Sequence, residues 1–387
     1  TKIEVITEGI LIQIIQNDPE LSDVAMVIID EFHQRSLQSD LAFALVRDIQ
    51  HGLRDDLILL LMSATLDNES LQAELPDAHF LYSKGRSFPV TTSYQPVNNI
   101  RFWREHTVKV IIQALSEHQG SILVFLPGSG DIRYLSEELG KKLNIIKPAL
   151  MPQTSSSFPP VICPLYGNLS LAEQQEAITP AKATTRKIVL ATNIAETSLT
   201  IEGISLVIDC GLEKVAIYDS QTMTNKLQQK NIAKSSAIQR MGRAGRLAQG
   251  HCIRLYSEEE YHRRPTKNAL DIQQSDILPL IIEAARWGVH RLADLSLLDF
   301  PNEKIEQQAW LTLQEISVVD SKNRLTSHGE KVSVLGCHPR FAHMILQAKL
   351  LEQKHKVSGL CYLACLIAAL LEERDIFSHE QARYDCD

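Results

Sequence analysis

Short apolar runs recur along the 387-residue chain, and each one ends in a polar or small-residue turn. The six runs are residues 25–29, 57–62, 121–126, 187–190, 206–208 and 252–256. Segments with a helical pattern lie between them, for example residues 40–52, 99–118 and 131–143. Runs that are apolar on both faces and separated by helix-length segments are typical of buried parallel strands. The sequence therefore predicts an α/β fold with open parallel sheets, in which functional groups collect at the carboxyl ends of the strands.

Two changes in pattern indicate how the chain is divided. Residues 85–96 hold two prolines and no helical period, which favours a hinge between two α/β domains. Residues 148–160 are rich in Pro, Ser and Gln, which is typical of a surface loop inside the second of these domains. After about residue 264 the pattern becomes mostly helical. We therefore expect two α/β domains followed by a helical region.

The net charge of −8 argues against a protein that coats nucleic acid through bulk positive charge. The negative net charge does not exclude a narrow nucleic-acid channel lined by backbone amides and a few cations. No apolar run approaches the roughly 18 residues of a membrane span, and no signal peptide is evident, so no membrane association is expected. The seven cysteines form no Cys-x-x-Cys pair, and we interpret them as buried thiols in a reducing cytoplasm.

Two adjacent carboxylates, Asp30 and Glu31, follow the first apolar run. A carboxylate at such a strand end can hold Mg²⁺ through its waters, and its neighbour can polarise the water that attacks a γ-phosphate. A solvated turn is the alternative interpretation. Ser63 and Thr65 end the next run, where small hydroxyl residues can bond to the first carboxylates, although such residues are common at strand ends.

The segment QRMGRAGR, residues 239–246, interleaves arginines with small residues. Arg243 and Arg246 are three apart, so we expect a helical turn to place them on one face. Gly242, Ala244 and Gly245 would let that face approach a ligand closely. Two converging guanidiniums suit a triphosphate, and Gln239 is placed to orient water or phosphate. A basic solvent-facing helix would not need these small residues.

These motifs, in this order, resemble superfamily 2 helicases of the DEAH/RHA group. The supporting segments are DEFHQRS at 30–36, TEGIL at 7–11, LVFLPG at 123–128 and ATNIAETSLTI at 191–201. The DEFH form resembles the bacterial HrpB type in particular, as do GRSFPV at 85–90, LYGNLS at 165–170 and RWG at 286–288. The resemblance extends over essentially the whole chain.

The resemblance implies an ATP-dependent nucleic-acid helicase that uses ATP or another NTP with Mg²⁺. Asp30 would coordinate the Mg²⁺, Glu31 would activate the attacking water, and His33 would link the nucleotide site to the second domain. The remaining nucleotide-site positions are Ser63 and Thr65, which would couple hydrolysis to movement, and Gln239, Arg243 and Arg246, which would act on the phosphates and water.

The resemblance also implies that single-stranded nucleic acid binds along both α/β domains. The contacts to its backbone would come from Thr7, Gly9, Gly128, Thr192 and Asn193. Such contacts do not read bases. RNA is favoured over DNA, translocation is expected to run 3′-to-5′, and a hairpin within residues 212–232 would help to separate duplexes.

The implied organisation has four parts. Residues 1–84 would be the carboxyl-terminal part of a first RecA-like domain, and residues 85–268 a second RecA-like domain. A winged-helix domain would occupy residues 269–336, and a helical domain would begin at 337–387.

One family motif does not occur in these 387 residues. The phosphate-cradling loop Gly-x-x-x-x-Gly-Lys-[Ser/Thr] is missing, and the family places it before residues 7–11. We expect the loop to lie upstream of Thr1. The alternatives are a nucleic-acid-binding protein that has lost hydrolysis, and a partner-binding scaffold that uses only the winged-helix and helical regions.

Overall fold

The computed structural model describes residues 2–63, 71–72, 74–83, 88–146, 160–181, 185–196, 199–219 and 224–372. The strands are β1 (Met26–Ile29), β2 (Ile58–Leu61), β3 (Val90–Tyr94), β4 (Ser121–Phe125), β5 (Val161–Leu165), β6 (Lys187–Ala191), β7 (Ile204–Asp209), β8 (Leu212–Asp219), β9 (Thr224–Asn231) and β10 (Gly250–Arg254). The helices of the amino-terminal half are α1 (Glu8–Asn17), α2 (Leu37–Gly52), α3 (Trp103–Glu117), α4 (Ser129–Ile146) and α5 (Leu171–Ile178). The later helices are α6 (Lys234–Gly242), α7 (Glu258–Arg263), α8 (Asp271–Gln274), α9 (Leu278–Arg286), α10 (Glu303–Glu315), α11 (Ser327–Val334), α12 (Pro339–His355) and α13 (Leu360–Glu372).

The chain forms two compact units, one made of Thr1–Pro76 with Leu270–Asp387 and one made of Asp77–Ala269. The division into four parts at residues 84, 268 and 336 stays a prediction. Of the described helices, none has both the length and the apolar character needed to cross a bilayer.

The second unit is built on a parallel sheet of six strands in the order β3-β10-β7-β4-β6-β5. Every residue of β4 is buried, because helices cover both faces of the centre of the sheet. This confirms the predicted α/β fold with a parallel sheet. Serine caps fix the starts of two helices, since Ser170 and Ser257 each form a capping box with the glutamate three residues later.

The edge strands of this sheet were not predicted. Val90–Tyr94 falls inside the predicted hinge at 85–96 but pairs with β10, so the hinge prediction is wrong for these residues; residues 85–87 lie outside the described residues. Val161–Leu165 contains Pro164, which an edge strand tolerates because one side of its backbone needs no partner. Nearly all of the predicted loop at 148–160 lies outside the described residues.

The segment predicted as a hairpin is confirmed as one. β8 and β9 pair antiparallel from Leu212 with Asn231 to Asp219 with Thr224. The two strands are eight residues each, longer than the apolar residues alone indicate.

The first unit holds a two-stranded parallel sheet, β1-β2, and most of the late helices. Its hydrophobic core takes residues from both chain segments, including Ile15, Phe43, Ile281 and Leu313. Polar contacts join the same segments: the indole Nε1 of Trp287 donates to Asp48 Oδ2 at 2.6 Å. β1 and β2 expose one face, with Ile28 50% and Ile58 52% accessible, so the expectation of burial on both faces is wrong for these strands.

A half-buried carboxylate, that of Asp276, links the starts of α9 and α12. Asp276 accepts a hydrogen bond from the Leu278 amide at 3.0 Å and contacts His338 Nε2 at 3.0 Å and Arg340 Nη1 at 3.5 Å. Burial alone would raise the pKa of Asp276, but the bonds from His338 and Leu278 and the nearby positive charges outweigh it and hold the pKa below its usual value.

Asp276→Asn is therefore expected to lower the free energy of unfolding near neutral pH by about 1–2 kcal/mol. A lowered folded-state pKa stabilises the protein above the ordinary aspartate value of 3.8, and this stabilisation is lost as the pH falls through the folded pKa. Urea unfolding at several pH values should show that the difference in unfolding free energy between the wild type and Asp276→Asn decreases as the solution becomes acidic. Asp294→Asn, at the exposed Arg291 pair, is the matched control. A difference that does not change with pH would contradict this account.

Candidate nucleotide and nucleic-acid sites

Asp30 and Glu31 stand at the carboxyl end of β1, as predicted from the sequence. Asp30 is exposed, and its Oδ1 accepts a hydrogen bond from the Glu31 amide at 2.8 Å. Glu31 adopts the left-handed backbone conformation, with φ 51°, which turns the chain sharply out of the strand. The Phe32 amide donates to Met62 O at 2.9 Å and ties this turn to the end of β2.

The same edge of the sheet carries Ser63. Because β1 and β2 are parallel neighbours and the Met62 amide donates to Ile29 O at 2.9 Å, Ser63 follows Met62 beside the end of β1. His33 Nε2 lies 3.4 Å from Glu31 Oε2, with its side chain only 10% exposed. Neither ring nitrogen of His33 makes a hydrogen bond within the described part of the chain. Thr65 lies outside the described residues.

Arg35 fastens the carboxylate turn, a role that was not predicted from the sequence. Its Nε donates to Asp40 Oδ1 at 2.6 Å, and its Nη2 donates to Asp299 Oδ2 at 2.8 Å. Asp40 is 2% exposed, and burial raises its pKa although the Arg35 charge opposes the rise. The turn that carries Glu31 is thereby bound both to α2 and to the late segment around Asp299. The only sequence signal was that Arg35 belongs to the DEFHQRS motif.

The two predicted phosphate arginines lie at and just beyond the end of helix α6. The helix ends at Gly242 with Arg243 as its C-cap, hydrogen bonds between residues three apart continue the turn to Gly245, and Arg246 lies in the following bend. Arg243 is 8% exposed, and its Nη1 donates to Leu199 O at 2.7 Å. Gly245 differs from expectation, because a Cβ there would lie 2.6 Å from Phe88 O, so this glycine permits packing within the protein; a Cβ on Gly242 would meet nothing within 4 Å.

Both arginines nevertheless lie on one short segment of the second unit. Arg243 also donates through Nη2 to Glu196 O, and Arg246 donates through Nη1 to the Thr200 hydroxyl. Gln239 lies half-buried on α6. The segment 239–246 is thus attached to the ATNIAETSLTI segment within the second unit.

Arg240 was not singled out from the sequence, yet it is the largest fully buried side chain among the described residues. Its Nε contacts Glu196 Oε2 and its Nη1 contacts Asp209 Oδ1, both at 3.0 Å. A further bond runs from Nη1 to Leu212 O at 3.3 Å, and Tyr256 donates its hydroxyl to Asp209 Oδ2 at 3.0 Å. This buried network joins α6 to the ends of β6, β7 and β10.

The predicted nucleic-acid residues of the second unit follow the neighbouring strands β4 and β6. Asn193 is exposed at the start of a short 3₁₀ turn, and Thr192 before it is half-buried. Gly128 is buried, and a Cβ there would lie 2.9 Å from the Nζ of Lys214, so the lysine side chain covers this glycine. In the first unit, Thr7 is exposed before α1 and makes no side-chain cap, while Gly9 packs against Gln38.

Comparison with known proteins places these sites in a family. The family described as the helicase conserved C-terminal domain matches residues 105–248. The ATP-dependent RNA helicase HrpB of Escherichia coli is 43% identical over 373 residues, covering 96% of this chain and 44% of the relative. A crystal structure of E. coli DEAH/RHA helicase HrpB aligns with a TM-score of 0.85 at 42% identity, covering 97% of this chain and 45% of that chain. The chain belongs to the DEAH/RHA helicase family.

A more distant relative, the ATP-dependent RNA helicase HrpA homolog of Haemophilus influenzae, is 33% identical over a region that covers 90% of this chain and 26% of the relative. The chain spans less than half the length of these curated relatives. The matched helicase domain, residues 105–248, lies wholly within the second unit, whereas Asp30 and Glu31 lie in the first.

Proposed function

We propose that this chain is the motor region of an ATP-dependent RNA helicase, which hydrolyses ATP or another NTP to translocate 3′-to-5′ along single-stranded RNA. The observation that carries the proposal is the paired carboxylate turn of Asp30 and Glu31, which lies beside Ser63 in a member of the DEAH/RHA family. The relatives above, named ATP-dependent RNA helicases, support the same substrate class.

Asp30 suits the Mg²⁺ that such hydrolysis requires. Its carboxylate is exposed, is a hard oxygen donor, and is held by the Glu31 amide, and Mg²⁺ prefers one or two carboxylates together with phosphate oxygens. The bound ion would neutralise charge on the phosphates. Glu31 would accept the proton of the attacking water, and the neighbouring His33 would hold the Glu31 carboxylate in place.

Arg243 and Arg246, with Gln239 near them, would stabilise the charge that develops on the transferred phosphoryl group. These arginines bind Glu196, Leu199 and Thr200, which follow Thr192 and Asn193 in the chain. A nucleic-acid strand held by Thr192 and Asn193 would therefore influence the position of the arginines. The hairpin of β8 and β9 would help to separate duplexes. Thr7 and Gly9 would hold the strand backbone from the first unit.

The test measures NTP hydrolysis by the complete protein with and without single-stranded RNA, together with RNA affinity with and without a non-hydrolysable ATP analogue. The proposal expects RNA to stimulate hydrolysis and the analogue to change RNA affinity. RNA binding that ignores nucleotide would point to a binding protein without a motor. Absence of RNA binding would point to a protein-binding scaffold.

A further inference from the structure

Two cations flank one buried carboxylate at the carboxyl end of β4. Asp131 lies in the first turn of α4 and is 1% exposed. Arg104 Nη2 approaches Asp131 Oδ1 to 2.5 Å, and Lys214 Nζ lies 3.7 Å from Oδ2. Neither contact has hydrogen-bond geometry, since no hydrogen bond to the Asp131 oxygens occurs in the described residues. The carboxylate therefore fixes the place of both cations by charge.

Both cationic side chains remain accessible to a ligand. Arg104 keeps 45% and Lys214 keeps 37% of its side-chain surface exposed, in contrast to the buried Asp131. A guanidinium has five N–H donors and an ammonium has three, so one shared carboxylate leaves most of their donor capacity unused. The cluster carries one net positive charge in a chain whose net charge is −8.

Two further features at the carboxyl end of β4 favour the binding of an anion. Helix α4 begins at Ser129, so the positive end of its dipole faces the same strand end. The Lys214 side chain also lies over Gly128, the residue expected from the sequence to contact nucleic acid through its backbone. A strand that approached Gly128 would meet the lysine first.

We propose that Lys214 and Arg104 form a phosphate-binding site for single-stranded nucleic acid at the end of β4, in which Lys214 replaces the contact expected of Gly128. This inference rests on the proposed function and names residues that the sequence motifs do not contain. The two cations lie on different elements, β8 and α3, and the shared Asp131 holds them side by side. Such a site binds the backbone without regard to base sequence.

The test is the salt dependence of binding of a single-stranded oligouridylate of about 12 nucleotides to the complete protein. Each lost phosphate contact should reduce the slope of log K against log salt by about 0.7, the value for single strands. Lys214→Gln and Arg104→Gln are each expected to show this reduction and to bind several-fold more weakly at low salt. Lys214→Arg should restore most of the slope.

Lys141→Gln is the matched control, because Lys141 lies on α4 with 67% of its side chain exposed and pairs only with Glu138 in the described residues. It should leave the slope unchanged, and thermal unfolding should show that all variants fold. An unchanged slope in Lys214→Gln, beside a wild type that binds, would overturn this inference alone. A wild type that does not bind RNA would overturn it together with the proposed function.

Discussion

A Glu31→Gln variant of the complete protein is expected to hydrolyse NTP about 10²- to 10⁴-fold more slowly, which is the usual contribution of a positioned general base. NTP affinity should stay close to that of the parent. The substitution keeps the size of the side chain and the left-handed turn but removes the group that accepts the proton of water. RNA-stimulated phosphate release and equilibrium nucleotide binding, measured side by side, separate the two effects.

Glu20→Gln is the control for this experiment, because Glu20 is an exposed acid of the first unit outside the carboxylate turn. It should hydrolyse NTP at the parental rate. Asp30→Asn should instead weaken Mg²⁺-dependent nucleotide binding, since Asp30 is assigned to the metal. If Glu31→Gln retained the parental rate, Glu31 would not be the base.

Arg240→Met is expected to destabilise the second unit by about 3–5 kcal/mol, because it leaves buried carboxylates without a compensating positive charge. Asp209 is fully buried and Glu196 is 7% exposed, and both face the Arg240 guanidinium at 3.0 Å. Methionine fills a volume similar to that of arginine. The loss of stability is therefore due to the uncompensated carboxylates rather than to a cavity. Urea unfolding followed by circular dichroism gives the change.

Arg263→Met provides the comparison, since Arg263 pairs with Glu259 where both side chains are about four-fifths exposed, at 78% and 82%. It should leave the unfolding midpoint unchanged. Adding Glu196→Gln and Asp209→Asn to Arg240→Met should recover much of the lost unfolding free energy, because the uncompensated buried charges are then removed. A single Arg240→Met variant as stable as the wild type would mean that the network does not hold the unit together.

Sequence pattern predicts the interior of the sheet better than its edges. β4, β6 and β7 lie at the centre, where both faces must be apolar, so continuous apolar runs mark them clearly. The edge strand β3 reads VTTSY and carries hydroxyl side chains at four of its five residues, so a search for apolar runs does not find it. β5 contains Pro164, a residue that is uncommon inside strands and is tolerated at a sheet edge.

The functional sites show a similar contrast, between residues that are contiguous in the chain and residues that meet only in the folded structure. The carboxylate turn could be predicted because a strand and its following residues are contiguous. The partners of Arg240 are 44 and 31 residues earlier in the chain, so no local pattern reveals that this arginine is buried. Lys214 covers Gly128 from a strand that lies far along the sequence. Contacts of this kind follow from tertiary packing alone.

The shared core of the first unit has a consequence for the order of folding during synthesis. Asp77–Ala269 is one continuous stretch and can fold as soon as it leaves the ribosome. The core of the first unit needs Ile281 and Leu313 beside Phe43, so α1 and α2 must wait until more than 200 further residues have been translated. We therefore expect residues 77–269 to become protease-resistant before residues 1–76 do.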